Sequence, residues 1–390
     1  MSVDLIPYLF GAGGIPVWAG RGITLSTWIA SQSVYYDTVV PTDAATDYFV
    51  DFDAGSDVND GTTWAQAKAT LDAAADLLDG AGGVIKVRGT YSTAAEITLT
   101  AAGVSGTPIE MWADALHGAV LNMTGQADGI NLYGAYQSLN GFEVYGSTYT
   151  PITGHASYTD QQVRYCYTHD LVWPDNRGGN GAAHITLPGA NSLTDSNLAV
   201  GSTPTAGDAA LTQNHGLYTR GANSMIRNNL VVNIRGGSGI QVWSGTASNQ
   251  DGLVVVNNTV LNVNNSCIVV EATNAVVANN IVGYADNGTG SGSQFGIRAN
   301  NGTTGVITHN LFWQNQSLSL YSDDGGMTND NPITADPGFV DYQADGSGDY
   351  HVAAAGAAYQ AGSAAYEPTL DYFGNPRSAL PAVGFAEVED

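Results

Sequence analysis

Basic side chains are scarce in this 390-residue chain, which has 11 lysines and arginines against 36 aspartates and glutamates. The formal net charge is −25 at pH 7, and a surface of that sign repels both nucleic acid and an anionic membrane. We therefore expect neither as a partner. Lysine occurs only at Lys68 and Lys86, close to the N-terminal end, so a lysine base further along the chain is nearly excluded.

Cysteine and long apolar runs are lacking as well. The two cysteines, Cys166 and Cys267, lie about a hundred residues apart, and this spacing matches no metal or redox motif. Both are predicted to be small buried side chains. No run reaches the roughly 18 apolar residues of a membrane span. The opening segment MSVDLIPYLFGAGGIPVWAG has no basic region, so we expect the protein not to enter general secretion.

One pattern recurs between Val163 and Trp313: a β-branched run, a polar turn and a second apolar run. The turns are centred on Asn or a substitute, at positions about 22 to 32 residues apart. These positions are Cys166, Asn197, Asn229, Asn258, Asn280 and Asn310. Such a recurrence is typical of a solenoid, because a short strand–turn–strand unit buries its apolar face only when neighbouring units stack on it.

The Asn turns predict a narrow coil. A tight corner points backbone N–H and C=O groups inward, and buried backbone groups need partners. The Asn amide donates and accepts at once, so stacked Asn residues can bond one another and the turn backbone. Cys166 occupies the same slot without an amide, so the ladder should end there. The 49 glycines mark many short turns between the strands.

The N-terminal end has its own pattern. Residues from Ala69 to Leu78 show the apolar spacing of a helix, Gly80 stops it, and the segment VIKV after Gly83 alternates as a first strand. The open end of a solenoid would expose its apolar cross-section to water. A short amphipathic helix usually covers that end, and we assign this role to residues 69–78.

The chain resembles the right-handed parallel β-helix proteins of the pectate-lyase-like superfamily. The resemblance rests on the opening YFVDFDAGSDVNDGTTWAQAKATLDAAADLL, the Asn-centred coils and the ending that starts DPGFVDYQADGSGDYHV, and it covers about residues 46 to 385. It implies an all-β fold, a single-stranded right-handed parallel β-helix with a short N-terminal capping helix. Members include polysaccharide lyases, glycoside hydrolases, epimerases and viral tailspikes, so the resemblance specifies fold more than activity.

The expected organisation has four parts. Residues 1–45 lack the Asn pattern and are rich in aromatics such as Trp18, Trp28, Tyr35 and Tyr36, which favours an attachment or oligomerisation segment. Residues 46–95 form the N-terminal cap and first coil, and residues 96–325 form the β-helix. Residues 326–390 are expected to form a C-terminal cap.

One strand of each coil carries candidate binding residues. The segments HITL, GLYTR, GIQVW, CIVVE and GIRAN align with the inward positions Ile185, Leu217, Ile240, Ile268 and Ile297. Because successive side chains of a strand point to opposite faces, the residues that alternate with each inward position are expected to face solvent. This outward set is His184 and Thr186, Tyr218 and Arg220, Gln241 and Trp243, Val269 and Glu271, Arg298 and Asn300. Aromatic rings beside guanidinium and amide groups favour a saccharide-binding face, and the resemblance places the substrate groove there. The alternative is that solvent-facing strand positions are polar in any case.

Cationic residues are concentrated in one window of the sequence. Five of the nine arginines fall there, namely Arg164, Arg177, Arg220, Arg227 and Arg235, together with His169, His184 and His215. In an acidic protein this concentration favours an anionic ligand such as a uronic sugar, with Arg177 and Arg235 as further binding residues. The alternative is that these arginines pair with Asp170, Asp175, Asp195 and Asp208.

Two catalytic mechanisms are compatible with these residues. A lyase neutralises a uronate carboxylate and removes the neighbouring proton, so Arg220 would pair with the carboxylate and His184, His215 or Tyr218 would be the base. A hydrolase uses two carboxylates about 5 to 10 Å apart. Glu271 would be one of them, and Asp251, Asp208 or Asp175 the other.

Neither mechanism requires a cofactor in this chain. The resemblance implies catalytic calcium only where aspartates cluster on the outer strand positions, and no such cluster occurs here. The Asp-rich turn with Asp51, Asp53 and Asp57 has oxygen ligands that calcium accepts, although it lacks the spacing of an EF-hand. We predict a structural calcium ion there.

Three functions remain open. The first is a virion tailspike or tail-fibre protein, a homotrimer that recognises and depolymerises a host surface polysaccharide, with residues 1–45 bound to other tail proteins. The second is a bacterial polysaccharide lyase or glycoside hydrolase, extracellular by a non-classical route. The third is a non-catalytic glycan-binding or structural solenoid. A polysaccharide partner is expected in the first two.

Overall fold

The computed structural model describes residues 25–92, 95–173, 182–204, 213–243, 247, 250–285, 294–300, 302–317, 319–323 and 326–387. Within them the chain winds into a parallel β-helix with three walls, in which each strand pairs in parallel with the strand one coil away. The predicted all-β solenoid is confirmed. The described part contains no helix long and apolar enough to cross a bilayer.

Wall 1 holds the strands that precede the Asn turns, and wall 2 holds those that follow them. Wall 1 comprises Tyr48–Asp51, Ile109–Ala113, Gln137–Asn140, Gln162–Arg164, Leu193–Asp195, Met225–Arg227, Val254–Val256, Ala275–Ala278, Gly305–Thr308 and Asn329–Asp330. Wall 2 comprises Ala119–Asn122, Phe142–Tyr145, Tyr167–Trp173, Leu198–Pro204, Leu230–Ile234, Thr259–Val263, Ile281–Ala285, Leu311–Trp313 and Ile333–Thr334. The strand Gly83–Tyr91 pairs with both walls and has a positive φ at Gly89.

Wall 3 is a separate nine-stranded sheet, and we number its strands as rungs 1 to 9 in chain order. The rungs are Ile97–Leu99, Ile130–Leu132, Ile152–Gly154, Ala182–Leu187, Asn214–Thr219, Ile240–Val242, Ile268–Val270, Ile297–Ala299 and Leu320–Ser322. The predicted inward residues Ile185, Leu217, Ile240, Ile268 and Ile297 are paired in register and almost fully buried. Each such side chain contributes about 1.5 to 3 kcal/mol through burial.

The Asn ladder is confirmed. The amide nitrogen of each ladder residue donates to the side-chain oxygen of the next at 2.9 to 3.0 Å from Asn197 to Asn310, and all five residues are fully buried. The ladder ends where expected, with the backbone N–H of Cys166 donating to Asn197. The residue before each ladder position has a positive φ, as at Asn228 and Asn257, so the first residue of each pair makes the turn and the second builds the ladder.

The N-terminal cap is close to its prediction. Helix α2 spans Leu71–Ala75 and continues as the 3₁₀ turn Asp76–Leu78. Leu71, Ala74 and Leu78 are buried within the main core cluster, so this short helix covers the first coil. Its apolar side thereby replaces the neighbouring coil that is missing at the end of the stack.

The C-terminal segment lies elsewhere than expected. Residues 339–387, which we call the C-terminal strap, include the antiparallel strands Phe339–Asp341 and Asp349–Val352. Instead of closing the end of the coil, the strap packs against the outer face of wall 2. The reason is that this outer face is apolar, with Leu198, Leu230 and Ile281 directed out of the coil and fully buried beneath the strap.

Part of the N-terminal segment also packs on this chain. Helix α1, Leu25–Val39, places Tyr36 against Trp112 and Tyr165, and the Tyr36 hydroxyl donates to the carbonyl of Ala113 at 2.7 Å. Gln32 is fully buried and accepts a 2.6 Å bond from the Tyr372 hydroxyl of the strap. The aromatic character of residues 31–39 therefore reflects packing within the chain, while the attachment role of residues 1–45 stays a prediction.

Candidate functional site

The residues of the predicted outward stripe are neighbours on wall 3, but Gln241 and Val269 are only 7% and 4% exposed, so their predicted exposure to solvent is wrong. Strand register places Thr186, Tyr218, Gln241, Val269 and Arg298 next to one another on rungs 4 to 8. A second column follows the last paired residue of each rung and comprises Arg220, Trp243, Glu271, Asn300 and Asp323 on rungs 5 to 9. We call these two columns the wall 3 face. Neighbouring rungs in a sheet lie about 4.8 Å apart, so residues far apart in sequence become neighbours here.

Contacts between rungs hold the centre of this face. The Tyr218 hydroxyl donates to the backbone carbonyl of Trp243 at 2.7 Å. The indole N–H of Trp243 and the amide of Asn300 both donate to the Glu271 carboxylate, the latter at 3.4 Å. Trp243 nevertheless remains 45% exposed, whereas Glu271 is only 5% exposed. The face therefore offers an open indole ring above a carboxyl group that is almost enclosed.

Burial changes the acid–base properties of the central residues. Burial raises the pKa of Glu271, although the bonds from Asn300 and Trp243 act in the opposite direction. The pKa of Tyr218 is also raised, mainly by burial, with Glu271 adding to the rise and Arg220 opposing it. Glu271 thus keeps its proton to higher pH than an exposed glutamate, and Tyr218 stays protonated at neutral pH.

Arg220 differs from most described arginines because it forms no salt bridge with a carboxylate among the residues that the structure describes. Arg88, Arg164, Arg227, Arg298 and Arg377 each form a salt bridge within the described residues. No such pair involves Arg220, which is exposed at the edge of rung 5. Arg235 lies at the corner after wall 2 and donates to the amide oxygens of Asn233 and Asn264 instead. Within the described part of the chain, Arg220 therefore presents an exposed guanidinium without a salt bridge beside Tyr218 and Trp243.

The prediction that His184 faces solvent is wrong. His184 is fully buried, its Nδ1 lies 3.0 Å from the Thr168 hydroxyl, and burial lowers its pKa to about 3. His215 is 6% exposed, its Nδ1 accepts from the backbone N–H of Ser238, and its pKa is likewise about 3. His184 lies immediately before the inward residue Ile185 and contacts Thr168 of wall 2, whereas His215 lies two residues before Leu217 and contacts Ser238 at the corner that follows wall 2. Neither lies open on the wall 3 face.

The cationic window of the sequence does not form one cluster. Arg227 pairs with Asp195 at 2.7 Å on wall 1, as the alternative interpretation expected, and Arg164 also lies on wall 1 beside Glu110. His169 lies on wall 2. A coil needs about thirty residues to return to the same wall, so neighbours in sequence are distributed around the coil. Predicted residue Arg177 lies outside the described residues, as do Asp175 and Asp208.

The predicted calcium ligands form hydrogen bonds and a salt bridge with neighbouring protein groups. Asp51 pairs with Arg88 at 2.8 Å and accepts backbone N–H bonds from Asp53 and Ala54. Asp57 accepts backbone bonds from residues 69 and 70 at 2.9 and 3.0 Å. Across the ranges that the structure describes, no three His, Cys, Asp or Glu side chains converge as metal ligands. The oxygens of Asp51, Asp53 and Asp57 accept bonds from different protein donors, and a structural calcium ion at this turn stays a prediction.

The sequence alignment missed both ends of the face. At the N-terminal end, Tyr133 and His155 follow rungs 2 and 3, with ring centroids 5.3 Å apart, and Tyr158 packs on His155 at 5.6 Å. At the other end, Tyr321 stacks on Phe295 at 4.5 Å, and Asp323 pairs with Arg298. Extending the aligned segments to NLYG at 131–134 and ITGH at 152–155 would have found the first group.

Comparisons with known proteins concern the whole fold. No protein-family model and no curated protein sequence matches the chain. Among solved structures, it is similar to pectate lyase Pel9A, with a TM-score of 0.55 and 15% identity over 88% of this chain and 96% of that chain. It is also similar to a GH136 lacto-N-biosidase from Eubacterium ramulus, with a TM-score of 0.45 and 14% identity over 80% and 57% of the two chains. A third is PfbA, a surface adhesin of Streptococcus pneumoniae, with a TM-score of 0.38 and 12% identity over 67% and 75%.

Sequence identities of 12 to 15% show a similarity of fold and nothing more. The similarity to Pel9A extends over nearly all of both chains. Together with the three parallel walls and the capping helix, it confirms the fold that the sequence resemblance implied. The chain is a right-handed parallel β-helix of the pectate-lyase-like type.

Proposed function

We propose that the protein binds an acidic polysaccharide along the wall 3 face. The observation that carries this proposal is Arg220, an exposed guanidinium without a carboxylate partner among the described residues, in a chain of net charge −25. Isolated cations in an acidic protein attract anionic ligands, and guanidinium groups bind carboxylates in a bidentate manner. A uronate carboxylate has the shape and charge that this position accepts.

The neighbours of Arg220 support a sugar as the carrier of that carboxylate. Trp243 exposes nearly half of its side chain one rung away, and an open indole ring provides an apolar surface for the face of a pyranose ring. Asn300, half-buried one rung beyond Glu271, adds an amide group of the kind that bonds sugar hydroxyls. The chain is similar in fold to a pectate lyase, which fits a carbohydrate ligand.

Binding measurements test this proposal. Isothermal titration with alginate and polygalacturonate should give saturable binding, while uncharged dextran should bind far more weakly. Arg220→Ala and Trp243→Ala should each weaken binding and leave the melting temperature nearly unchanged. The matched control is Arg88→Ala, which removes an arginine from the cap, far from wall 3. Equal affinity of wild type and Arg220→Ala for both acidic polymers would overturn the proposal.

For catalysis, the residues favour Glu271 as a general acid. A protonated carboxyl group beside a sugar-binding ring can donate its proton to a glycosidic oxygen. Burial raises the pKa of Glu271 and thereby favours this protonated form. The three bases considered for a lyase are less suitable, since His184 and His215 are enclosed and the Tyr218 hydroxyl is engaged with Trp243. Asp251, a candidate second carboxylate, accepts bonds from Thr273 and Asn274 at the corner after rung 7.

Product analysis separates the mechanisms. A hydrolase shortens alginate or polygalacturonate without new ultraviolet absorption, whereas a lyase creates a double bond that absorbs. Glu271→Gln should abolish shortening if Glu271 is the acid, with binding retained. Unchanged polymer length with wild-type protein would support binding without catalysis, the third function considered above.

A virion tailspike is the more specific version of this proposal. It predicts a homotrimer, a virion location and contacts of residues 1–45 with other tail proteins. Mass measurement in solution tests the first of these. A trimer favours the tailspike assignment over a bacterial polysaccharide lyase or hydrolase, and a monomer argues against it.

A further inference from the structure

The geometry points to a second sugar-stacking subsite at Tyr133, His155 and Tyr158, which holds an uncharged sugar residue of the same glycan chain that binds at Arg220. This inference rests on the proposed function, because it extends the binding face from its centre to its N-terminal end. It specifies the ligand as an acidic heteropolysaccharide, in which uncharged sugar residues occur among the uronates.

Continuity of the face places this subsite on the path of one chain. Tyr133 follows rung 2 and His155 follows rung 3, in the same column that carries Arg220 on rung 5 and Trp243 on rung 6. At about 4.8 Å per rung, Tyr133 and Trp243 are separated by roughly 19 Å along the coil axis. An extended glycan that lies along the axis reaches both groups only when it contains several sugar residues.

The three rings form an open aromatic surface. Tyr133 and His155 meet edge to face at 5.3 Å, and His155 and Tyr158 lie at 5.6 Å. His155 is exposed, and the two tyrosines are half-buried. The backbone N–H of Ser157 donates to His155 Nδ1 at 3.2 Å, which fixes the imidazole orientation. Rings held in place lose little conformational freedom when a sugar stacks on them.

The charges around this subsite differ from those at Arg220. Glu96 and Asp128 lie close to Tyr133, and the Glu96 carboxylate accepts the backbone N–H of Asp128 at 3.1 Å. After burial, these two carboxylates are the causes that raise the pKa of the Tyr133 hydroxyl. Two negative charges repel a uronate and tolerate a neutral sugar. The wall 3 face therefore changes from acidic at rung 2 to cationic at rung 5, and a ligand that spans both needs residues of both kinds.

Oligosaccharides of graded length test the inference. The probe is a series of size-fractionated hyaluronan oligosaccharides, in which an acidic and an uncharged sugar alternate. We expect affinity to rise roughly tenfold once the oligosaccharide spans both subsites, which corresponds to one added stacking contact. Tyr133→Ala should remove this gain and leave the affinity for the shortest binding oligosaccharide unchanged, whereas Tyr133→Phe should keep it.

Controls separate the two proposals. Tyr366→Ala removes a half-buried tyrosine on the strap and should keep the full dependence on length. A length dependence that persists in both Tyr133→Ala and Tyr158→Ala would overturn the inference, as would an affinity independent of length in wild type. If alginate binds through Arg220 but hyaluronan of every length fails to bind, the second subsite is refuted and the proposed function stands. If Arg220→Ala leaves binding of the shortest oligosaccharides intact, the proposed function fails instead.

Discussion

The hydroxyl of Tyr218 donates a 2.7 Å hydrogen bond to the backbone carbonyl of Trp243, and the indole of Trp243 donates in turn to Glu271. Three successive rungs of wall 3 are thereby joined outside the backbone pairing of the sheet. Trp243 follows the strand Ile240–Val242, so its position depends on this bond as well as on the strand. We therefore expect Tyr218 to contribute to the proposed glycan binding by positioning the exposed indole.

Tyr218→Phe tests this positioning. The substitution keeps the ring and removes the donor, so the Trp243 carbonyl loses a bond worth about 1 kcal/mol. We expect roughly fivefold weaker alginate binding with an unchanged melting temperature, and a change in the intrinsic fluorescence of Trp243. Tyr145→Phe, a change to a half-buried tyrosine on wall 2, should affect neither measurement. Wild-type affinity and fluorescence in Tyr218→Phe would show that the strand alone holds the indole.

The Asn ladder makes a second prediction. Asn258 bonds the carbonyls of Ile226 and Val256 and the side chain of Asn280, all within the buried turn. Asn258→Ala leaves these groups without partners and should lower the free energy of unfolding by about 1 to 3 kcal/mol. Chemical denaturation measures the loss. Asn265→Ala removes a half-buried Asn whose side-chain oxygen accepts the N–H of Ser266, and this change should cost far less. Equal midpoints for the two variants would contradict the ladder's role.

The repeat made the coil predictable because one physical requirement recurs in every turn. Each corner buries backbone groups, and Asn meets that need at Asn229, Asn258 and Asn280 alike, so the same residue marks the same place in each coil. The inward residues of wall 3 followed from period-two alternation once the coils were aligned. The capping helix followed from a different signal, the helical spacing that ends before Gly80.

The positions of the two buried histidines and of the C-terminal strap could not be predicted from the repeat or from strand alternation. His184 and His215 lie in the first half of their rungs and contact Thr168 of wall 2 and the backbone N–H of Ser238, and strand alternation alone did not show these contacts. The C-terminal strap was misplaced because a sequence shows that Leu198 and Leu230 are apolar but not that both inner and outer sides of wall 2 are covered. The prediction of one cationic cluster was wrong for a related reason, because a coil distributes residues that are neighbours in sequence over three walls.

The contact between the two ends of the chain makes a third prediction. Gln32 of helix α1 accepts from the Tyr372 hydroxyl of the strap, and its amide lies 3.4 Å from the Tyr372 carbonyl. Tyr372→Phe and Gln32→Ala should each lower the free energy of unfolding, and a double-mutant cycle should give a coupling of about 1 kcal/mol. The pair Tyr366→Phe and Gln32→Ala is the uncoupled control. Strictly additive effects of the first pair would mean that α1 and the strap fold independently.

Acid sensitivity provides the last prediction, through the buried histidines. Burial lowers the pKa of His215 and His184 to about 3 and that of His117 to about 4. In the unfolded chain a histidine titrates near 6.5, so between that pH and the folded pKa the unfolded state binds more protons. Stability is therefore fully present above about pH 6.5 and falls as the pH decreases, by on the order of 2 kcal/mol per group at pH 5.

His215→Asn isolates one of these contributions. The variant should be less stable at pH 8, because the bond from Ser238 and the stacking on Tyr218 change, yet its stability should decline less steeply than that of wild type between pH 6.5 and 5. Asn265→Ala, which removes no titratable group, should keep the wild-type slope. Urea unfolding at several pH values measures these slopes. Parallel curves for wild type and His215→Asn would mean that His215 is protonated inside the folded protein, and its burial beside Ser238 would have to be revised.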